Sequence, residues 1–245
     1  MKKLYQREWQ NISFSSFYKT SSTDLADANF YDAFYQALFN KYPNYDALDT
    51  SWRRSKDEIA DWLATTLPGG ARVLSVGCGL GYMEQRLWSL HGDRIELHVQ
   101  DFASHALSWL RQVMPLERIH DSGREIGQFD FIFLSAVDYA MSDADLVALL
   151  VKSRKNLRDG GQLMMISASF LEDSVSQQIV LNSKEAVKWL LGILRLRHRG
   201  QFWGWMRSRQ EYLKVMRHSG FSVVIDGFME TSHGRTYWVK GCDIK

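Results

Sequence analysis

The sequence predicts an α/β domain built on a mostly parallel sheet, and three observations carry this. Short β-rich runs alternate with helical periodicities between residues 72 and 167, the pattern of βαβ units. One such run passes directly into a glycine cluster and then a helix, within 72–90. The last two β-rich runs, 222–226 and 235–240, are about eight residues apart. A parallel crossover needs a dozen or more, so these two should pair antiparallel.

Taken in order, residues 1–23 are aromatic and rich in Ser and Thr, with weak periodicity, and read as an irregular arm. Residues 24–40 form a helix, because Phe30, Phe34 and Leu38 recur at helical spacing beside Tyr31 and Tyr35. A second helix starts near Ser55, which with Glu58 makes a capping-box pattern, and ends at Pro68-Gly69-Gly70. Strand 72–76 leads through Gly77-Cys78-Gly79-Leu80-Gly81 into helix 82–90. Strand 95–99 ends near Asp101; helix 104–113, a short strand 118–120 and a stronger strand 129–134 follow. Helix 143–157 stops at Asp159-Gly160-Gly161, before strand 162–167. The alternation then breaks. Helices are expected at 183–197 and 208–219, joined through 200–205, before the two final strands. This divides the chain into an N-terminal arm and helical cap, 1–70, and a core, 71–245, with a helical insertion at about 170–219.

Composition excludes several classes. The 245 residues include 9 Trp, 13 Phe and 10 Tyr, too many apolar rings for a disordered chain. Two cysteines, Cys78 and Cys242, cannot build a disulfide scaffold or a Cys-based zinc site, and suit cytosolic thiols. The first residues lack an apolar stretch after their charges, so no secretory leader is expected. No run of ~18 uncharged apolar residues occurs, so no membrane span is expected either. A cytoplasmic protein is the resulting expectation. The net charge of +2 is uneven: residues 184–217 hold nine Lys or Arg against two acids, a local +7 that leaves −5 elsewhere. Such a block suggests an anionic partner.

The glycine cluster carries the chemistry. Glycines after a strand let the backbone turn tightly and approach a ligand closely. A dinucleotide loop needs a further glycine where Tyr82 stands, and a P-loop needs Gly-Lys-Ser/Thr, which is absent. What remains is G-x-G-x-G, with an ordinary βα turn as its rival. Asp101, 24 residues after Gly77, lies where an acid accepts hydrogen bonds from ribose hydroxyls in nucleoside-binding α/β folds. Its rival role is a helix cap.

The loop Val73-Leu74-Ser75-Val76-Gly77-Cys78-Gly79-Leu80-Gly81 resembles motif I of the class I S-adenosylmethionine-dependent methyltransferases, and Asp101 matches their ribose-binding acid. Phe129-Asp130-Phe131-Ile132-Phe133-Leu134-Ser135 resembles motif IV, and 157–163 the helix-to-strand junction after it. The resemblance covers about 71–245. It implies a Rossmann-like, seven-stranded, mostly parallel sheet with an antiparallel last strand. It also implies S-adenosyl-L-methionine as cofactor, held by Gly77, Cys78, Gly79, Gly81, Asp101 and Ser135, with Asp121 near adenine, although Asp121-Ser122-Gly123 fits a turn equally well. Phe102 either stacks on adenine or packs. The helix carrying Tyr31 and Tyr35 resembles the lid of small-molecule methyltransferases, and a helix-core role fits these tyrosines equally well. The Asn-Pro-Pro-Tyr motif of amino-methylating DNA enzymes and the Asp-Asn pair of metal-dependent catechol-type enzymes are both missing. No metal is therefore expected.

Catalytic candidates should follow strands, because ligands lie beyond the carboxyl ends of an open α/β sheet. Asp138 and Tyr139 follow strand 129–134, and His233 lies between the last two strands as a candidate general base. A helix cap is the rival role for Asp138, and a solvated loop residue for His233. Arg53 and Lys56 suit a carboxylate or phosphate, with solvent exposure as their first reading. The acceptor expected from the resemblance is a hydroxyl, less favourably an amine, on a small molecule such as a sugar, glycan intermediate or secondary metabolite. Residues 186–206 combine an apolar helix with Trp and basic flanks. A substrate lid or homodimer interface is their first reading, then peripheral membrane or lipid-linked substrate contact. RNA binding comes last, because nucleic acid has little use for the apolar helix. An RNA methyltransferase and a non-catalytic cofactor-binding protein are the two rival functions.

Overall fold

The computed structural model describes residues 1–17, 26–103, 105–121, 126–167, 169–172, 183 and 200–243. Its centre is a seven-stranded sheet of β4 (Arg72–Val76), β5 (Glu96–Asp101), β6 (Ile119–Asp121), β7 (Phe129–Ser135), β8 (Leu157–Ile166), β10 (Phe221–Thr231) and β11 (Gly234–Asp243). The spatial order is β10-β11-β8-β7-β4-β5-β6. The pairs from β6 to β8 are parallel, while β11 runs antiparallel to both β8 and β10. The final strands thus pair as a hairpin, and β11 is the reversed strand.

Apolar residues alternate between the two faces of the sheet. Val73, Phe131, Phe133, Met164 and Ile166 meet Ile59 and Leu63 of α2 (Thr50–Thr66) and Met83 and Leu87 of α3 (Tyr82–His91). Leu74, Ile132, Leu134, Leu163 and Met165 meet Leu146 and Leu150 of α4 (Asp143–Lys155) and Val215 and Met216 of α5 (Arg209–His218). Burial on both faces explains why the strands read as near-continuous apolar runs. The third layer is aromatic. Phe30, Tyr31, Phe34 and Tyr35 of α1 (Ala28–Lys41) cluster with Phe14, Trp109 and Trp203. This places α1 above the carboxyl end of the sheet.

The structure corrects four readings. The arm is not irregular. Its β1 (Lys2–Gln6) pairs antiparallel with β9 (Gln201–Met206), followed by a small hairpin of β2 (Glu8–Trp9) and β3 (Ile12–Ser13). The sequence predicts 200–205 as a joint between two helices, and the segment instead forms strand β9. Gly204 permits close contact: at φ +149°, its missing Cβ would overlap the Tyr139 carbonyl. Second, α2 starts at Thr50, where Asp49 accepts from the Trp52 N–H at 2.7 Å; Ser55 lies inside the helix, buried against Thr231. Third, the segment expected as helix 104–113 contains two tight 3-10 turns, Ala106–Ser108 and Leu110–Gln112. Leu107 and Leu110 face the sheet while Ala106 and Trp109 face the aromatic layer, so no single helical stripe can serve both. Fourth, β8 begins at Leu157, five residues before the expected start. The expected helix 183–197 lies almost entirely outside the described residues.

One buried pair sets an acid limit on stability. His98 Nδ1 lies 2.8 Å from His120 Nε2, and His98 Nε2 lies 2.8 Å from Glu96 Oε1. Burial holds the His98 pKa below its ordinary 6.5, opposed by Glu96 and aided by Arg72 and Arg118. The neutral ring is the folded form, so its contribution is complete above pH ~6.5 and is lost as pH falls through the depressed value. The melting temperature should therefore drop as pH falls below the ordinary histidine range, and less steeply in His98→Gln. Equal slopes would place the acid sensitivity elsewhere.

Candidate active site

Three strand ends converge above the sheet. The loop after β4 holds Gly77, Gly79 and Gly81 at φ of 72°, 57° and 73°. The Gly79 N–H donates to Asp101 Oδ2 at 2.7 Å, and the Ala103 N–H to Oδ1 at 2.9 Å. The end of β5 is thereby tied to the glycine loop. A Cβ on Gly79 would stand 2.9 Å from the Tyr35 hydroxyl, so that glycine lets α1 approach the loop. Burial raises the Asp101 pKa while the backbone N–H groups pull it down. Each carboxylate oxygen retains acceptor capacity for a further hydrogen bond.

These groups line one cavity of about 720 Å³, within the ~300–1,000 Å³ range of small-ligand sites. Of the residues expected to hold a cofactor, Gly77, Cys78, Gly79, Gly81, Asp101, Phe102, Ser135, Tyr31 and Tyr35 all line it, as does Tyr139. The Tyr31 hydroxyl is buried beside the Tyr139 phenol, and both residues line the cavity. Phe102 is 46% exposed and meets Tyr31 edge-to-face, leaving ring surface for a planar ligand. The glycine cradle, the acid and the exposed face of Phe102 together fit a nucleoside carrying an amino-acid end. Burial pushes the Tyr139 phenol up to about 12, so it stays protonated near neutrality.

Three expected residues are placed elsewhere. Asp121 is exposed at the end of β6, 3.7 Å from Arg111. His233 is exposed at the tip of the β10–β11 hairpin. Trp238 pairs with Ile166 at the end of β8, so the hairpin overruns the sheet, and the Ser232 N–H reaches Glu58 on α2 at 2.5 Å. The tip therefore docks on α2, and Arg235 lines the cavity instead. Asp138 is buried behind the cavity wall, accepting from Ser167 at 3.1 Å and from Tyr212. Burial raises its pKa, and the nearby Arg207 opposes that. Its place is in a packed polar network, where the helix-cap rival does not apply either: Ser142 caps α4.

Two cavity residues were under-read in the sequence. Lys56 was given first to solvent, yet it precedes Ile59 and Ala60 by three and four residues on the buried stripe of α2. Glu84 escaped notice because it lies in the first turn of α3, where acids are ordinary. It accepts from Ser75 Oγ at 2.6 Å, and burial pushes its pKa up to about 7 while Lys56 pulls it back. In the basic block, Arg207 is wholly buried and Arg209 pairs with Asp226 at 2.6 Å, so neither is free for nucleic acid. Residues 184–199 lie outside the described residues. Among the described residues, no helix is long and apolar enough to cross a membrane.

No protein-family model matches the chain. Among solved structures, it is similar to magnesium protoporphyrin IX methyltransferase from Synechocystis PCC 6803 with bound SAH. The TM-score is 0.59 at 15% identity, over 88% of this chain and 99% of that one. The chain has the class I methyltransferase fold. The methyltransferase fold recurs in an O-methyltransferase family 2 protein from Planctomyces limnophilus in complex with apigenin. Its TM-score is 0.57 at 18% identity, over 89% of this chain and 62% of that one. By sequence, the chain is 31% identical over 96 residues to the S-adenosyl-L-methionine-dependent Diels-Alderase iccD of Talaromyces variabilis. That match spans 39% of this chain and about a third (31%) of the relative's length.

Proposed function

We propose that the chain is an S-adenosylmethionine-dependent methyltransferase whose acceptor is a hydroxyl on a small, planar aromatic molecule. The observation that carries this is the Gly79 N–H on the Asp101 carboxylate, facing the same cavity as Tyr31, Tyr35, Phe102 and Tyr139. Bound there, the cofactor would supply a methyl group activated on a sulfonium. Asp101 would hold its ribose, the glycine loop its amino-acid end, and Phe102 its base. The rest of the wall includes Trp9, Trp52, Tyr82, Phe170 and Trp203, which favours an aromatic acceptor over a sugar. Among the described residues lining the cavity there is no histidine. A phenolic hydroxyl, with a pKa of ~10, needs less help to ionise than an alcohol does. Catalysis then rests on alignment and exclusion of water by the aromatic lid.

A second reading is favoured by the relative from Talaromyces variabilis, whose name couples the same cofactor to a pericyclic reaction. In that case the loop would hold the cofactor, the aromatic wall would fold a polyene, and no methyl would leave.

The test is titration with S-adenosylhomocysteine, with NAD as control, then incubation with S-adenosylmethionine and a panel of phenols and linear polyenes. Micromolar binding of the first nucleoside only, with a phenol gaining one methyl by mass spectrometry, is expected. A polyene rearranged without mass change would favour the second reading. Absence of nucleoside binding would overturn both.

A further inference from the structure

Lys56 has no role in the reading above, and its surroundings are unusual. It is half-buried, lines the cavity, and makes no ion pair or hydrogen bond among the described residues. Glu84, which lines the same cavity, spends one carboxylate oxygen on Ser75 and stands outside ion-pair range of the ammonium. Burial lowers the Lys56 pKa, opposed by the more distant charges of Glu84 and Asp138. A sheltered ammonium without a close counter-charge is costly unless something supplies one. Arg235 adds a second cation to the wall; it stacks on Phe228 and meets Glu230 only at 3.6 Å.

We propose that Lys56 is the counter-ion for a carboxylate of a bound ligand, at the α2 side of the cavity. This rests on the reading of the cavity as a ligand site and adds a recognition element that no glycine loop supplies. A carboxylate placed there restores the missing charge and gives the ammonium a charge-assisted hydrogen bond. Two ligands can bring that chemistry: the amino-acid end of the cofactor, or an acidic acceptor.

The experiment compares wild type, Lys56→Met and Lys56→Arg by isothermal titration. The probes are S-adenosylhomocysteine, 5′-methylthioadenosine, which lacks the carboxylate, and 4-hydroxybenzoate added with and without S-adenosylhomocysteine. If the cofactor is the source, Lys56→Met weakens S-adenosylhomocysteine about 10- to 100-fold and leaves 5′-methylthioadenosine unchanged. If the acceptor is the source, both nucleosides are unchanged and 4-hydroxybenzoate loses affinity by a similar factor. In either case Lys56→Arg recovers part of the loss. Equal weakening of both nucleosides, or no change with any probe, overturns the assignment. Should wild type bind neither nucleoside, the cofactor reading fails, and 4-hydroxybenzoate on the unliganded chain alone decides for Lys56. Melting curves of the two variants guard against misfolding, because a lysine in a half-buried position is readily replaced by the isosteric Met stem.

Discussion

Arg207→Met should lower the melting temperature by about 10 °C, the larger of the two main effects expected from single substitutions. The guanidinium is wholly buried. Its Nε donates to Asp143 Oδ1 at 2.8 Å, Nη1 to the Asp138 carbonyl at 2.5 Å and Nη2 to the Met141 carbonyl at 2.6 Å. Methionine fills a similar stem but donates nothing, so two carbonyls lose their donor and the buried Asp138 loses a nearby positive charge. Leaving such groups unpaired costs about 3–5 kcal/mol in sum. Lysine should not rescue the loss, because one ammonium cannot span three acceptors set in a fork. The same bonds fix the turn that carries Tyr139 into the cavity, so nucleoside affinity should fall as well, though less than stability. A melting temperature within ~3 °C of wild type would show that something other than Arg207 holds this turn.

Asp101→Ala is the second. Its expected mark is a split between affinity and stability. The carboxylate accepts from the Gly79 and Ala103 N–H groups, so the variant should lose about 1–2 kcal/mol of folding stability as those donors turn to water. Affinity for S-adenosylhomocysteine should fall about 100-fold, because ribose hydroxyls would lose a charged acceptor in a sheltered site. The two roles considered for this acid in the sequence, ribose acceptor and local cap, are thus not exclusive. A variant that melts lower yet binds the nucleoside as tightly as wild type would leave only the cap.

The parts legible in the sequence were those encoded by local period or local turn chemistry. Val73 to Val76 running into three glycines could be placed without knowing what lay beside it. So could the helix that starts at Ser208 and the reversed final strand. What escaped depends on partners distant in sequence. Strand β9 is a strand because β1, about two hundred residues earlier, pairs with it. The α2 start was misplaced because Ser55 and Glu58 imitate a cap whose true residue, Asp49, sits a turn and a half upstream. His233 was put on the correct side of the sheet, but how far a hairpin overruns its neighbour is set by register, which no composition reveals. Lys56 was readable from its spacing to Ile59 and Leu63. Lysines are mostly exposed, and that general preference hides the stripe.

The pairing of β1 with β9 also dictates when the binding cavity can exist. Leu4 and Gln6 of β1 form part of its wall, as do Trp203 and Met206 of β9. During translation the first strand leaves the ribosome long before residues 201–206 are made. At ~5–20 residues per second, a gap of about two hundred residues is a wait of roughly 10–40 s. The strands from β4 to β8 have their parallel neighbours in hand well before that. The newborn chain therefore passes through a stage in which the sheet's centre is assembled and the pocket is still roofless. The wall that β9 supplies can close over the cavity only after residues 201–206 have been made.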